Sequence, residues 1–335
     1  MFSPPQVNRT LKGNSMKPYK CLIVGLGDIG LKYDLDLSKR FVYTHARAIS
    51  IHPDFELIGA VDINKKNRDE FKKNYRKPVF ANFNDASSEL NPDLIIISSP
   101  TKTHKDVLEE ILKKVTPLAI LCEKPLDIDI EKARKIVNEC YKNNIKLYVN
   151  YIRRSDPGSI KVGELLKKEI FKKPYKGIVW YSKGLKNNGS HFINLLECWL
   201  GHHKAVKNIS KGKQYKEIND FDYDFTIQYR NAEILFCSSI ENSSTYNSIE
   251  IMSPTGRLLY ENGGEEIFFQ KVNTSKNNYL EKEKTFIQTN MNKYQYNVLN
   301  NLSASIQGKS SFISTGDDAL KTLEVVDMIE KGGAN

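Results

Sequence analysis

The chain lacks what a membrane protein, a disulfide scaffold or a metal centre needs. No apolar run approaches the roughly 18–20 residues that cross a bilayer. The first ten residues, Met1-Phe-Ser-Pro-Pro-Gln-Val-Asn-Arg-Thr10, carry no apolar core of a signal peptide, so the cytoplasm is the expected compartment. The five cysteines, Cys21, Cys122, Cys140, Cys198 and Cys237, are scattered and odd in number. No pair has metal-ligand or redox spacing, so reduced, mostly buried thiols are expected and no metal is. His202-His203 has no acid or cysteine cluster to support it as a metal site. No arginine-rich tract or aromatic-interleaved basic stripe accompanies the net charge of +10, which argues against nucleic acid as a partner. No internal repeat is visible.

What is present is length and alternation. The 335 residues suffice for two domains. Residues 1–16 are expected to be a disordered extension, or Met16 the true start. The positive charge sits in lysine pairs along helical stretches, as in Lys65-Lys66, Lys113-Lys114 and Lys172-Lys173. Its field favours anionic small molecules, although AT-rich coding DNA produces the same lysine-, asparagine- and isoleucine-rich composition. From residue 19 to about 149, short apolar runs (20–24, 56–61, 94–98, 118–122 and 146–150) alternate with amphipathic stretches such as 107–115 and 130–143. That pattern predicts an α/β domain with a parallel sheet covered on both faces, its ligands outside the carboxyl ends of the strands. After residue 151 a helix at 160–171, a strand at 177–182 and a helix at 191–200 precede alternating runs at 221–229, 233–239, 248–252, 257–260 and 266–272. These predict an open, mainly antiparallel sheet. Residues 303–314 read as a loop-rich lead into a last helix at 317–330. The expected domains are 17–150, 151–314 and 315–335.

Two segments carry the chemistry. Gly25-Leu-Gly27-Asp28-Ile29-Gly30 follows the first strand. Gly25 permits a tight turn, Gly27 lets backbone N–H groups approach a pyrophosphate, and Gly30 lets a helix pack close. The opening of that helix is expected to add the positive end of its dipole. Asp62, at the end of the second strand, suits the ribose hydroxyls and repels a 2′-phosphate, which favours NAD over NADP; Lys65 and Lys66 can soften that preference. The long gap from Gly30 to Asp62 fits an insertion at 31–44, with Asp34, Asp36, Lys39 and Arg40, expected near the cofactor phosphates or the site mouth, or as a plain surface loop. Glu123-Lys124-Pro125 ends another apolar strand. A lysine desolvated there has a lowered pKa, and can hydrogen-bond a reacting hydroxyl and take part in proton transfer. It is equally a surface lysine before a helix-starting proline. His191 opens an amphipathic helix, sharing a face with Asn194, Leu195 and Cys198. It is a candidate base or a helix-start histidine with a backbone partner. His104, at the start of a helix, reads as a capping or packing residue. In this order, the glycine loop and the lysine point to an NAD(P)-dependent oxidoreductase.

Together these residues resemble the glucose–fructose oxidoreductase, inositol dehydrogenase and rhizopine-catabolism family (Gfo/Idh/MocA). The matches are the 24–30 loop with Thr44-His-Ala-Arg-Ala48, Ala60-Val-Asp62, Ser99-Pro100 with His104, Cys122-Glu-Lys-Pro-Leu126, and Tyr151-Ile-Arg-Arg154 with Asp156-Pro157. The segments 184–201 and 249–264 belong to the same resemblance. It implies a Rossmann domain, then an α/β domain with an open, mainly antiparallel sheet. It also implies a last helix packed back on the first domain, and homodimers or homotetramers formed through the sheet. The implied catalytic set is Lys124, His191 and Asn187. The implied cofactor contacts are Gly25, Gly27, Asp28, Ile29, Gly30, Asp62, Ser99, Pro100, His104, Glu123 and Lys124. The implied substrate contacts are Lys124, Arg153, Arg154, Asn187, His191 and Asn194. Two positions depart from the family: Asn187 and Asn194 stand where many members have aspartate. Asparagine at the first occurs in members that oxidise nucleotide-linked N-acetylhexosaminuronic acids. The expected activity is hydride transfer between NAD and a secondary alcohol or ketone of a sugar, with an anionic or nucleotide-linked sugar preferred. The alternatives are an NAD-dependent glycosidase on the same scaffold and a non-catalytic dinucleotide sensor.

Overall fold

The structure, a computed structural model, describes residues 17–332 except 169, 240–244 and 276; the extension expected at 1–16 lies outside the described residues. The first domain runs β1 (Tyr19–Val24), α1 (His45–Ile51), β2 (Phe55–Val61), α2 (Lys65–Tyr75), β3 (Val79–Phe80), α3 (Phe83–Glu89), β4 (Leu94–Ile97), α4 (His104–Lys114), β5 (Ala119–Cys122), α5 (Ile130–Lys142) and β6 (Lys146–Val149). Its sheet is parallel throughout, in the order β3-β2-β1-β4-β5-β6. Alternate residues of one strand feed opposite cores, because side chains along a strand point to opposite faces. On β1, Cys21 and Ile23 join one cluster, and Leu22 and Val24 the other. The chain leaves β1 for opposite sides of the sheet through β2 and β4, and the crevice at this switch point is where such folds bind ligands.

The second domain adds α6 (Pro157–Lys167), β7 (Tyr175–Tyr181), α7 (Ser190–Leu200), β8 (His203–Tyr215), β9 (Asp220–Tyr229), β10 (Ala232–Ser238), β11 (Ser248–Ser253), β12 (Gly256–Glu261), β13 (Glu266–Asn273), β14 (Tyr279–Leu280) and β15 (Thr285–Ile287). These strands pair antiparallel except β10 with β7, which is parallel. One face packs on α7 through Phe192, Leu195, Leu196, Phe225 and Ile234. The opposite face leaves Leu235, Met252 and Phe286 exposed.

Two helices then return across the first domain. α8 (Tyr294–Ile306) lays Val298, Leu299 and Leu302 on the Rossmann sheet beside α1. The sequence reading left it inside the second domain and took residues from 303 on as loop. α8 is polar apart from its short buried stripe, which hides it from hydrophobic periodicity. α9 (Gly316–Glu330) lies between the domains. Its Ala319 joins a Rossmann core, while Val325, Val326 and Ile329 join the core of the second domain. Arg134 reaches it from α5, with Nη2 3.1 Å from Glu324. β8 was also not read from the sequence. It is an edge strand of exposed, lysine-rich residues whose register with β9 shifts three times, so it buries too little to show alternation.

One element departs from expectation. The helix opened by the glycine loop is a single π turn, Asp28–Lys32, and residues 33–44 then form a folded strap before α1. Asp34 is fully buried at its centre. Its carboxylate accepts the N–H groups of Tyr43 (2.7 Å) and Thr44 (2.9 Å) and the Thr44 hydroxyl (2.8 Å). Arg47 donates to the carbonyls of Leu37, Ser38 and Phe41, closing the strap from outside. Asp34 therefore organises the insertion and is not free to face a phosphate. The strap is also tied to the segment before α8: Val42 N–H donates to Asn292 O (2.9 Å), and the Tyr43 and Tyr294 rings stack at 4.9 Å.

Candidate active site

The glycine loop fits a dinucleotide. A Cβ at Gly25, where φ is +103°, would lie 2.5 Å from Ser99 N and 2.6 Å from Ser98 C. One at Gly30 would lie 2.3 Å from Gly25 O. These two glycines let the loop fold against the end of β4. Gly27 is different: a Cβ there meets nothing within 4 Å. It borders the open space in which a pyrophosphate would sit on the loop. With only one turn behind the loop, the individual N–H groups, more than a helix dipole, are what the chain offers an anion. Asp62 is fixed at the end of β2 by the N–H groups of Leu26 (2.6 Å) and Asn64 (2.7 Å) and by Asn67 Nδ2 (3.3 Å). Lys65 pairs with Asp69 at 2.7 Å.

His104 is not a cofactor contact. It is fully buried, with Nδ1 3.1 Å from Pro125 O and Nε2 2.9 Å from Ser99 O. It staples the β4 end loop to the β5 end loop and so aligns Ser99 and Pro100 with Lys124. As a packing residue it matches the reading of its position at a helix start.

Lys124 follows β5. Glu123 beside it accepts from Asn150 Nδ2 (2.6 Å) and meets His45 Nε2 at 2.8 Å. Burial works to raise the Glu123 pKa, but the hydrogen bonds from His45 and Asn150 and the Lys124 charge outweigh it and hold it below the usual range. Glu123 is thus an anion already engaged by two neighbours. Lys124 Nζ turns the other way and donates to the backbone O of Asn187 and to Asn187 Oδ1 (3.3 Å). Burial is the main cause that pushes its pKa down to about 8; Arg153 also lowers it, while Glu123 and Asp220 oppose the fall.

Asn187 and His191 come from the second domain. The chain leaves β7 through Lys183 (φ +66°) and Gly184 (φ +91°), makes a π turn over Leu185–Gly189 and enters α7. The turn is held from behind by β9. Asp220 accepts the N–H groups of Lys186 (3.1 Å) and Asn187 (2.9 Å), and Asp222 accepts that of Gly184 (3.1 Å). His191 is buried, packs edge-on against Tyr151 at 5.5 Å, and its Nδ1 has no partner among the described residues. Burial, then the Lys124 and Arg153 charges, hold its pKa well below the ordinary value, so its ring is neutral near pH 7. An amine titrating near 8 beside a neutral imidazole can hold a substrate oxygen and exchange its proton.

The two arginines separate. Arg153 lies against Phe192, its guanidinium 5.0 Å from the ring centre, and its buried Nε has no partner among the described residues. Its charge acts on both Lys124 and His191. Arg154 instead donates through Nε to Phe312 O (3.0 Å) and pairs with Asp318 at 3.3 Å. It fastens α9 and belongs to the domain junction. Asn194 is also structural. It is fully buried and donates through Nδ2 to Ser314 Oγ (3.2 Å) and Thr322 Oγ1 (3.0 Å), locking α7 to α9. Its place on the same helical face as His191 does not bring it to the substrate position.

Sequence reasoning missed His45, Asn150 and Asp220. A signal for the last existed: Asp220, Asp222 and Asp224 alternate with aromatics in a lysine-rich chain, the period that puts all three acids on one face of a strand.

Residues 19–151 match the model of a family described as oxidoreductase family, NAD-binding Rossmann fold (GFO_IDH_MocA). Over this domain, about two fifths of its length, the chain is similar to that family. Inositol 2-dehydrogenase of Rhizobium meliloti (strain 1021) is 30% identical over 113 residues, covering 34% of this chain and 33% of that enzyme. Glucose-6-phosphate 3-dehydrogenase of Bacillus subtilis (strain 168) is 37% identical over 92 residues, 27% of this chain and 24% of that enzyme. The chain therefore spans a third or less of the length of these relatives. The WlbA dehydrogenase from Bordetella pertussis, solved with NADH and UDP-GlcNAcA, superposes with a TM-score of 0.73 at 17% identity, over 94% of this chain and 96% of that one. That likeness shows that both domains share one architecture.

Proposed function

We propose that the chain is an NAD-dependent dehydrogenase that moves hydride between nicotinamide and a secondary alcohol or ketone of a sugar derivative, with an anionic or nucleotide-linked sugar as its substrate. The observation that carries this reading is the convergence of Lys124 and His191 from different domains beside a dinucleotide loop. NAD, held by the Gly25–Gly30 loop and Asp62, supplies the hydride acceptor or donor. The residues handle the proton. Lys124 Nζ, anchored by Asn187, donates to the substrate oxygen. As the C–H bond breaks and its electron pair leaves with the hydride, the O–H proton passes to the neutral His191 ring and the oxygen becomes a carbonyl. Reduction runs the same transfers backwards. Asp62 favours NAD, since its charge opposes a 2′-phosphate.

The anionic preference rests on Arg153 and Lys124, two cationic side chains close together with Glu123 already engaged by His45 and Asn150. A carboxylate or phosphate on the substrate would relieve that concentration of positive charge. The relative named for a sugar phosphate and the structure holding UDP-GlcNAcA support the same class. We also propose association of two or more copies through the exposed apolar face around Leu235, Met252 and Phe286.

The test is NADH absorbance with NAD, and separately NADP, against inositols, sugar phosphates and nucleotide-linked hexosaminuronates. NAD reduction with an anionic sugar is expected. Free sugar released without net NADH would make the chain a glycosidase, and silence across the panel with dinucleotide bound would make it a binding protein.

A further inference from the structure

Lys124 is half-buried, the Arg153 charge lowers its pKa, and the neighbouring anion Glu123 is already engaged by His45 and Asn150. Among the described residues, Lys124 Nζ donates to the two oxygens of Asn187. Directly behind Asn187 stands Asp220, 1% exposed, and Lys186, next to Asn187 in the chain, pairs instead with Glu330 at 2.8 Å. Its Oδ2 accepts Asn187 N–H at 2.9 Å, and its Oδ1 accepts the N–H groups of Lys186 (3.1 Å) and Phe221 (2.8 Å). The fit is close: a Cβ at Gly184 would lie 2.2 Å from Asp220 Oδ2.

We infer that Asp220 is a positioning residue for Lys124. Its carboxylate grips the N–H side of Asn187, aims the carbonyl and amide oxygens of that residue at Lys124 Nζ, and lends negative charge to the amine through one intervening peptide unit. Polarisation along such a hydrogen-bonded chain strengthens each bond in it. The groups whose charge reaches Lys124 are Glu123 on its own loop, Arg153 after β6 and Asp220 on β9, and His191 on α7 faces it as a neutral ring. Of these, only Asp220 acts through the residue that Lys124 touches.

The inference rests on Lys124 being the reacting amine, yet its test does not require turnover. Lys124 in the full chain is labelled with a small amine-reactive reagent across pH, and its peptide is read by mass spectrometry. Asp220→Asn is nearly isosteric, so folding, checked by thermal melting, is retained. The labelling midpoint, about 8 in the unaltered chain, is expected to fall by about half a unit or more, because an anion that favours the charged amine is gone. If the unaltered chain turns over sugar, kcat falls about tenfold while the KM for NAD stays within about twofold. Gly184→Ala keeps the charge but drives a methyl into the carboxylate, and it should move the midpoint in the same direction. An unmoved midpoint in Asp220→Asn overturns the inference. A shift in Asp220→Asn with none in Gly184→Ala reduces Asp220 to a distant charge and overturns its positioning role. A shifted midpoint in a chain that never turns over leaves Asp220 in place and removes the dehydrogenase reading alone.

Discussion

Lys124 and Asn187 touch, yet they are positioned by opposite means. Lys124 sits at the end of a buried parallel strand. Its loop is pinned by neighbours at other strand ends, Asn150 after β6 and His45 at the start of α1, both through Glu123. Asn187 sits on an irregular π turn between β7 and α7, and carboxylates on β9 hold its backbone in place from more than thirty residues away. The first wall follows from sheet packing, because a strand buried on both faces fixes where its last residue lies. The second is set by a few polar contacts whose partners must all be present. Substitutions should therefore act on the Lys124 wall mainly through chemistry, and on the Asn187 wall mainly through geometry.

The largest effect tests the first wall. Lys124→Ala should lower kcat/KM for sugar oxidation by about a thousandfold or more, with NAD affinity by fluorescence changed only a few-fold. His191→Ala should follow, with a loss of about a hundredfold to ten-thousandfold. The neutral state of His191 has a signature. Its pKa lies well below the ordinary value, so oxidation needs no deprotonation step between about pH 6 and 7, and the rate should be flat there. Above this range, Lys124 loses its charge through about 8 and the rate should fall.

A smaller effect compares the walls directly. Glu123 raises the Lys124 pKa, so Glu123→Gln should move that alkaline limb to lower pH by about one unit or less. A rise would mean that the carboxylate does not act on the amine. The smallest expected effect on rate lies behind the second wall. Asn194→Ala should cost about 1–3 kcal/mol in thermal or denaturant unfolding, since Ser314 and Thr322 lose a buried partner. Its kcat should stay within about threefold. A collapse of kcat at unchanged stability would return Asn194 to the substrate.

The legibility of the sequence follows the same division. The parallel domain was readable because its strands are continuous apolar runs, and the glycine loop, Asp62 and Lys124 lie at their ends. The helix carrying His191 was readable from its face. What stayed hidden was held by tertiary polar contacts. Residues 31–44 looked like a loop with charges to offer, but Asp34 is sealed inside by Tyr43 and Thr44. Arg153 and Arg154 are neighbours with the same side chain, and only the Asp318 and Phe312 partners tell the anchor from the site residue. Asn194 has helical spacing from His191, yet α9 claims it. His104 was read both as packing and as a cofactor contact, and carbonyl partners at both ring nitrogens fix the former. Asp220 lies too far along the chain from Asn187 for any spacing rule to join them.

If Lys124 and His191 act on one substrate oxygen, single-turnover NADH formation against pH, compared between the unaltered chain and Lys124→Ala, will show it. The prediction is a rate that is level near neutrality and falls through about 8 in the unaltered chain, with the rate nearly abolished in Lys124→Ala while NAD remains bound. A Lys124→Ala chain that transfers hydride within tenfold of the unaltered one, or that keeps the same alkaline limb, would contradict it.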